Sequence, residues 1–236
     1  ESMTGPATGR PQPPLDDWGH EEADLLTGVH QLMLVGKRSG EGYFGPDGRM
    51  MVFQAEREPD NPFYQIYLLD RATGDVRRVS PGWGKTTCAW IHPTEAKVLF
   101  ASTHADPEAR RRMAEEFEAR ASGAPRSQAA WDYDPCYDLY EVEIGGDDYR
   151  RLTDWHGYTA EASWSPDGTR IAFACNRRGF EGGLSEEESR LFSADPSAFM
   201  DIYVMNADGS GVRRLTGDLG YDGGPFFSPD GRRIVW

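Results

Sequence analysis

Short runs in which apolar and polar residues alternate recur along the chain, and they predict half-buried β-strands rather than helices. Three of them span Tyr64 to Asp70, Tyr137 to Glu143 and Asp201 to Asn206. Four more continuous apolar runs lie at Arg49 to Ala55, Lys97 to Thr103, Arg170 to Cys175 and Arg232 to Trp236. A tetrapeptide typical of tight turns precedes each apolar run, as in Ser165-Pro-Asp-Gly168. The pattern therefore predicts an all-β protein.

These segments recur at three fixed spacings. A large aromatic residue follows the first residue of each tetrapeptide by 8 positions, at Phe53, Phe100, Phe173 and Trp236. A tyrosine precedes the next tetrapeptide by 25 positions, at Tyr67, Tyr140 and Tyr203, and an aliphatic residue does so by 13, at Leu32, Val79, Leu152 and Leu215. The length varies only between the aromatic residue and the tyrosine. A constant core with one variable loop indicates an internal repeat.

Each repeat predicts four strands, the last of which carries Arg77 to Ser80, Arg150 to Thr153 or Arg213 to Thr216. Successive four-stranded antiparallel units joined by tight turns are typical of β-propeller blades. The strand count gives one orphan fourth strand around His30 to Met33, three complete blades, and the first two strands of another.

The motifs Ser165-Pro-Asp-Gly-Thr-Arg-Ile-Ala-Phe173 and Asp201-Ile-Tyr-Val-Met-Asn-Ala-Asp-Gly-Ser210 resemble the TolB-type, WD40-like β-propeller repeat family. The second repeat departs from the pattern, because His92-Pro-Thr-Glu95 lacks the Asp-Gly pair. The resemblance implies a propeller that has six blades when complete and a protein-binding role outside the cytoplasm, in the periplasm or secreted. It also admits a propeller of a lyase-like, carbohydrate-active enzyme or of a prolyl-oligopeptidase-like enzyme.

The strand count predicts that residues 29–236 are part of a propeller, about half of one. The remainder of the propeller, or another chain, is expected to close the ring; a four-bladed ring closed by the orphan strand is the alternative. Residues 1–28 have no apolar core and carry Pro6, Pro11, Pro13 and Pro14, so a flexible N-terminal tail is expected.

The composition limits the kinds of partner that the chain is expected to bind. The formal net charge of −14 argues against nucleic acid and anionic membrane surfaces. No apolar run approaches the roughly 20 residues that membrane insertion requires. Of the three cysteines, Cys88 fits a small buried residue, whereas Cys136 and Cys175 flank loops on neighbouring blades and could pair.

Two insertions follow second strands, at about residues 104–136 and 177–200. Loops after the second and fourth strands of a meander leave on the same side, which we call the elaborated face; the opposite face keeps tight turns. The first insertion predicts a helix with Asp106 as its N-cap and Pro107 at its first position. Met113 and Phe117 suit packing on the propeller itself or, less favoured, a partner-binding helix. Ser185 and Glu188 form a predicted capping box in the second insertion.

The candidate binding residues lie at the predicted channel mouth and on the elaborated face: Thr86, Thr87, His104, His156, Tyr158, Glu161, Tyr221 and Asp222. A structural role as backbone caps is the equally weighted alternative. His104 and His156 could join a metal site, but the sequence shows no third ligand, so neither a metal nor another cofactor is expected. Catalytic motifs are absent from the sequence. The favoured hypothesis is a non-catalytic module that binds a protein or peptide.

Overall fold

The computed structural model describes residues 26, 31–32, 35–123 and 133–236. Its strands are β1 Arg38–Phe44, β2 Met50–Glu56, β3 Gln65–Asp70, β4 Val76–Arg78, β5 Thr86–Ile91, β6 Lys97–Ser102, β7 Asp138–Glu143, β8 Arg150–Arg151, β9 Thr159–Trp164, β10 Arg170–Cys175, β11 Phe199–Asn206, β12 Arg213–Arg214, β13 Gly220–Tyr221, β14 Phe226–Phe227 and β15 Ile234–Val235. Its helices are α1 Ala109–Ala121 and α2 Glu186–Ala194, and short 3-10 turns span Arg177–Gly179 and Pro196–Ala198.

The strands form three antiparallel four-stranded sheets in sequence order, β1 to β4, β5 to β8 and β9 to β12, followed by the hairpin of β14 and β15. The predicted three complete blades and two further strands are therefore confirmed. The predicted tail and orphan strand lie almost wholly outside the described residues; Gln31 and Leu32 are in no strand. The short strand β13, which pairs in parallel with β11, was not predicted.

The first strands of successive blades contact one another, β1 with β5, β5 with β9 and β9 with β14. They form the inner wall, and the core lies between adjacent blades. Phe100 and Phe173, two of the aromatic residues at the 8-residue spacing, belong to this core. Phe53, Phe100 and Phe173 are at most 4% exposed, and each ring stacks on the tyrosine of the neighbouring strand.

A hydroxyl group ties the fourth segment of every blade to its third strand. Ser80 Oγ, Thr153 Oγ1 and Thr216 Oγ1 accept hydrogen bonds of 2.9 Å from the backbone N–H groups of Ile66, Leu139 and Ile202. The bond satisfies a strand donor at the point where strand pairing ends. This contact explains why Ser or Thr follows the Arg-Arg-Val or Arg-Arg-Leu sequence in each repeat.

Helix α1 begins later than its sequence predicts. Asp106 Oδ1 accepts a hydrogen bond from Glu108 N, so Asp106 and Pro107 form a turn before the helix and Glu108 is the N-cap. The predicted packing of this helix on its own propeller is confirmed. Met113 is buried, and Arg120 forms an ion pair of 2.6 Å with Glu56 of the first blade. The predicted capping box of Ser185 and Glu188 is present at the start of α2.

Candidate functional site on the inner wall and elaborated face

Three contacts bring both insertions and two blade connections together. Gly157 N donates to Pro135 O at 2.9 Å, which joins the connection before β9 to the end of the first insertion. Asn176 Nδ2 donates to the Tyr133 hydroxyl at 2.9 Å, which links the two insertions. Strand β13 pairs with Phe199 and Met200 at the end of the second insertion. These segments form the elaborated face.

Three residues of the inner wall have left-handed backbone conformations that side chains rarely adopt. Glu41, Cys88 and Glu161 have φ angles of 34°, 49° and 56°, and they are the three non-glycine residues with positive φ in the described part of the chain. Each lies four residues before its turn tetrapeptide, where the fourth repeat has Gly224 with φ 58°. Strand register shifts beside each of the three, as expected for a β-bulge. Strain of this kind concentrates at functional sites.

The bulges bring their side chains into one group with a tyrosine of the elaborated face. Cys88 Sγ donates a hydrogen bond of 3.1 Å to Glu41 Oε2. Tyr221 Oη donates one of 2.5 Å to Glu161 Oε1, and Gly224 N donates one of 2.6 Å to Glu161 Oε2. We call Glu41, Cys88, Glu161 and Tyr221 the inner-wall cluster.

The carboxyl groups of the cluster raise the pKa values of their neighbours. Burial raises the pKa of Glu161, and the charge of Glu41 raises it further, against the hydrogen bonds from Tyr221 and Gly224. Burial also raises the pKa of the Cys88 thiol, with Glu41 and Glu161 adding to the shift. Among the described residues, no lysine or arginine forms an ion pair with Glu41 or Glu161. The carboxyl groups of Glu41 and Glu161 therefore have no cationic partner among the described residues.

Of the residues predicted from the sequence, Glu161 and Tyr221 meet in this cluster. Thr86 and Tyr158 are buried, at 1% and 4% exposure, so they belong to the packing between blades. Thr86 Oγ1 donates to Tyr64 O at 2.8 Å, and Thr87 Oγ1 donates to Gln54 Oε1 at 2.9 Å. Both threonines thus connect the second blade to the first.

The remaining predicted residues lie apart from the cluster. The ring of His104 packs on Tyr140 and its Nδ1 lies 2.9 Å from Ser102 Oγ; burial lowers its pKa to about 4. His156 is exposed against the ring of Phe180. Asp222 Oδ1 accepts a hydrogen bond of 3.2 Å from Trp236 Nε1.

The structure also shows how the cysteines and the candidate metal ligands are arranged. All three cysteines are free, so Cys136 and Cys175 do not pair. Across residues 35–123 and 133–236, no group of three or more histidine, cysteine, aspartate or glutamate side chains is placed to hold a metal ion. No helix within the described ranges is long and apolar enough to span a bilayer.

Sequence reasoning missed Glu41, and it treated Cys88 as a buried apolar residue only. Cys88 is buried, but its thiol also contacts Glu41. A signal was present, since both residues share with Glu161 the position four before the tetrapeptide. Positive φ at that position is not visible from the residue types.

A second feature of the elaborated face is a pocket of about 350 Å³ at the second blade. It lies between both ends of the first insertion and the connection before β9. Its polar and aromatic lining residues are Asp106, Asp138, Arg151, Asp154, Trp155 and His156, and we call it the blade-two pocket. Pockets of this size accommodate small ligands or single side chains.

The raised pKa of Glu161 predicts a pH-dependent effect on stability. A carboxyl whose pKa is higher in the folded than in the unfolded state stabilises the fold fully below about pH 4.3 and loses that contribution as pH rises through the folded pKa. We expect the unfolding free energy of Glu161→Gln, relative to wild type, to increase between pH 4 and pH 8 in urea titrations. The exposed Glu143→Gln variant is the control. A constant or decreasing difference for Glu161→Gln would contradict the assignment.

Several known proteins resemble parts of this chain. No protein-family model matches the chain. Dipeptidyl-peptidase 5 of Porphyromonas gingivalis is 36% identical over 84 residues, which are 35% of this chain and 10% of that protein. The TolB homolog of Chlorobium luteolum is 27% identical over 122 residues, which are 42% of this chain and 28% of that protein. The solved structure of a protein assigned as TolB from Agrobacterium tumefaciens has a TM-score of 0.56 at 18% identity, covering 83% of this chain and 56% of that one.

The chain thus spans about half of that solved structure and smaller parts of the two relatives. Its blades and these similarities define a β-propeller protein. Within that class the fold is TolB-like, as the repeat motifs predict.

Proposed function

We propose that this propeller binds a peptide or protein partner on the elaborated face, with the inner-wall cluster as the central contact. The observation that carries the proposal is the recurrence of left-handed Glu41, Cys88 and Glu161 in consecutive blades. The left-handed backbone is strained at each of these positions. The carboxylates of Glu41 and Glu161 have no cationic partner among the described residues. A rigid scaffold that presents elaborated loops beside such a group is suited to binding. A periplasmic or extracellular location belongs to the same proposal, supported by the likeness to TolB proteins.

The test begins with random 12-residue peptides displayed on phage and selected on the immobilised chain. An enriched peptide is then synthesised, and its Kd is measured by calorimetry. We expect Glu161→Gln combined with Glu41→Gln to raise the Kd at least about tenfold, because a hydrogen bond to a charged group contributes roughly 1.5–3 kcal/mol.

The matched control is Glu143→Gln, the same substitution at the exposed last residue of β7, next to a tight turn of the opposite face. It should leave the Kd within twofold of wild type. Failure to enrich any peptide, or equal Kd values for the double variant and wild type, would refute the proposal.

The identity with Dipeptidyl-peptidase 5 favours a second candidate, the propeller of a peptidase. The inner-wall cluster would then contact peptide substrates on their way to a catalytic domain. Release of 4-nitroaniline from dipeptidyl 4-nitroanilides by the protein expressed from its complete gene would support this candidate. Absence of release, with peptide binding intact, would favour the non-catalytic role.

A further inference from the structure

The connection between β12 and β14 contacts the inner-wall cluster and is weakly buried. It comprises residues 217–224, which we call the strap, and residues 217–221 of it are exposed. Leu219 and Tyr221, its two large apolar or aromatic side chains, are 52% and 50% exposed. A segment with few buried apolar contacts opens locally at a low free energy. The strap is therefore a candidate for a moving part.

Both carboxylate oxygens of Glu161 accept hydrogen bonds from the strap. The Tyr221 hydroxyl donates to Oε1 at 2.5 Å, and Gly224 N donates to Oε2 at 2.6 Å. Hydrogen bonds to a charged acceptor are stronger than those between neutral groups. A donor from a partner would therefore compete with the strap for this carboxylate.

The strap closes on Glu161 so tightly that no side chain fits at position 223. A Cβ at Gly223 would lie 2.5 Å from Glu161 Oε2 and 2.5 Å from the Tyr221 hydroxyl oxygen. Gly223 is not among the glycines with positive φ. Alanine at this position is therefore opposed by the Tyr221 and Glu161 side chains and not by its own backbone, so it would push Tyr221 away from the carboxylate.

The backbone of the strap is attached to the third blade over a short length. Strand β13 pairs with two residues of β11, Phe199 and Met200, and Asp222 N donates to Met200 O at 3.0 Å. Gly220 and Gly224 have φ +147° and +58°, and a Cβ at either position would meet no atom within 4 Å. Loop residues that can change φ and ψ without disturbing their neighbours are suited to act as hinges.

We propose that the strap is an autoinhibitory lid, which covers Glu161 in the unbound chain and opens when the partner binds. The partner then replaces Tyr221 and Gly224 as the hydrogen-bond donor to this carboxylate. The proposal rests on the proposed function, because it takes the inner-wall cluster as the binding site, and it adds how access to that site is regulated. Since only the open fraction of molecules binds, closure of the strap raises the apparent Kd.

Amide hydrogen exchange of the whole ¹⁵N-labelled chain, followed by NMR without any ligand, tests whether the strap opens. We expect the amides of Asp222 and Gly224 to exchange at least about tenfold faster than the slowest amides of β10. Tyr221→Phe should accelerate both strap amides at least about fivefold further, because it removes a hydrogen bond to a charged group. Exchange of the strap at the rate of β10, or no acceleration by Tyr221→Phe, would overturn the proposal.

The effect on binding is measured by calorimetry with a phage-selected peptide whose Kd is raised by Glu161→Gln. We expect Tyr221→Phe and Gly223→Ala each to lower this Kd at least about threefold, because both release the strap from the carboxylate. An unchanged or higher Kd for both variants would overturn the proposal and show that Tyr221 is a direct contact.

The matched controls are Tyr149→Phe and Gly146→Ala, the same substitutions in the turn between β7 and β8 on the opposite face. Gly146 also lacks a positive φ, so its alanine variant carries no backbone penalty. Both controls should leave the Kd and the exchange of the strap within twofold of wild type; changes as large as those of the strap variants would contradict the proposal. If no selected peptide depends on Glu161, the proposed function fails, whereas the exchange rates report separately on the strap. The two failures are therefore distinguishable.

Discussion

Phe173→Ala is expected to lower the free energy of unfolding by about 3–5 kcal/mol. Phe173 is fully buried, its ring stacks on Tyr203 at 5.5 Å, and it belongs to the core between the second and third blades. Alanine would remove this ring and leave a cavity that rigid strands on both sides cannot fill. Urea unfolding followed by circular dichroism measures the loss.

Phe44→Ala is the matched control, because it makes the same substitution at a phenylalanine that is 55% exposed. Its substitution should change the unfolding free energy by at most about 0.5 kcal/mol. Similar losses for both variants would contradict the assignment of Phe173 to the core.

Gly209→Ala is expected to cost about 3 kcal/mol, the second largest effect. Gly209 has φ +90° in the turn between β11 and β12, and a Cβ there would lie 2.7 Å from the backbone oxygen of Leu152 in the second blade. The substitution thus combines a left-handed alanine with a clash that only a shift between blades relieves.

Gly74→Ala separates these two contributions. Gly74 has φ +80° in the corresponding turn of the first blade, but a Cβ there meets no atom within 4 Å. Its cost should be about 1–2 kcal/mol, the backbone penalty alone. Equal losses at Gly74 and Gly209, measured by urea unfolding, would show that the close approach between blades does not contribute.

The repeat spacings predict the blades because each spacing corresponds to a local physical requirement. Ser165-Pro-Asp-Gly168 favours a tight turn. Phe173 is buried beside Tyr203, and the Thr153 hydroxyl accepts a hydrogen bond from a strand N–H. Helix α1 was placed too early because Asp106 suits an N-cap and a preceding turn equally well. What decides between them is Arg112, which pairs with Asp106 and with Asp134 at the other end of the insertion.

The candidate site was predictable only in part. Glu161 and Tyr221 stand out as polar residues in a first strand and in its connection, and the structure joins them directly. Glu41 and Cys88 were not predicted as site residues. The β-bulge that sets the direction of their side chains is a property of the backbone, and strand pairing within the blade determines it. The blade-two pocket likewise joins segments about 50 residues apart, which no local pattern reveals.

The central claim is that the elaborated face is the working face, and photo-crosslinking tests it most directly. A benzoylphenylalanine replaces either Leu219, 52% exposed in the connection before β13, or Phe44, 55% exposed beside the first tight turn of the opposite face. Each variant is irradiated with the phage-selected peptide, and the adduct is quantified by mass spectrometry. The account predicts an adduct from position 219 that unlabelled peptide competes away, and none from position 44. An adduct from position 44 alone would contradict it.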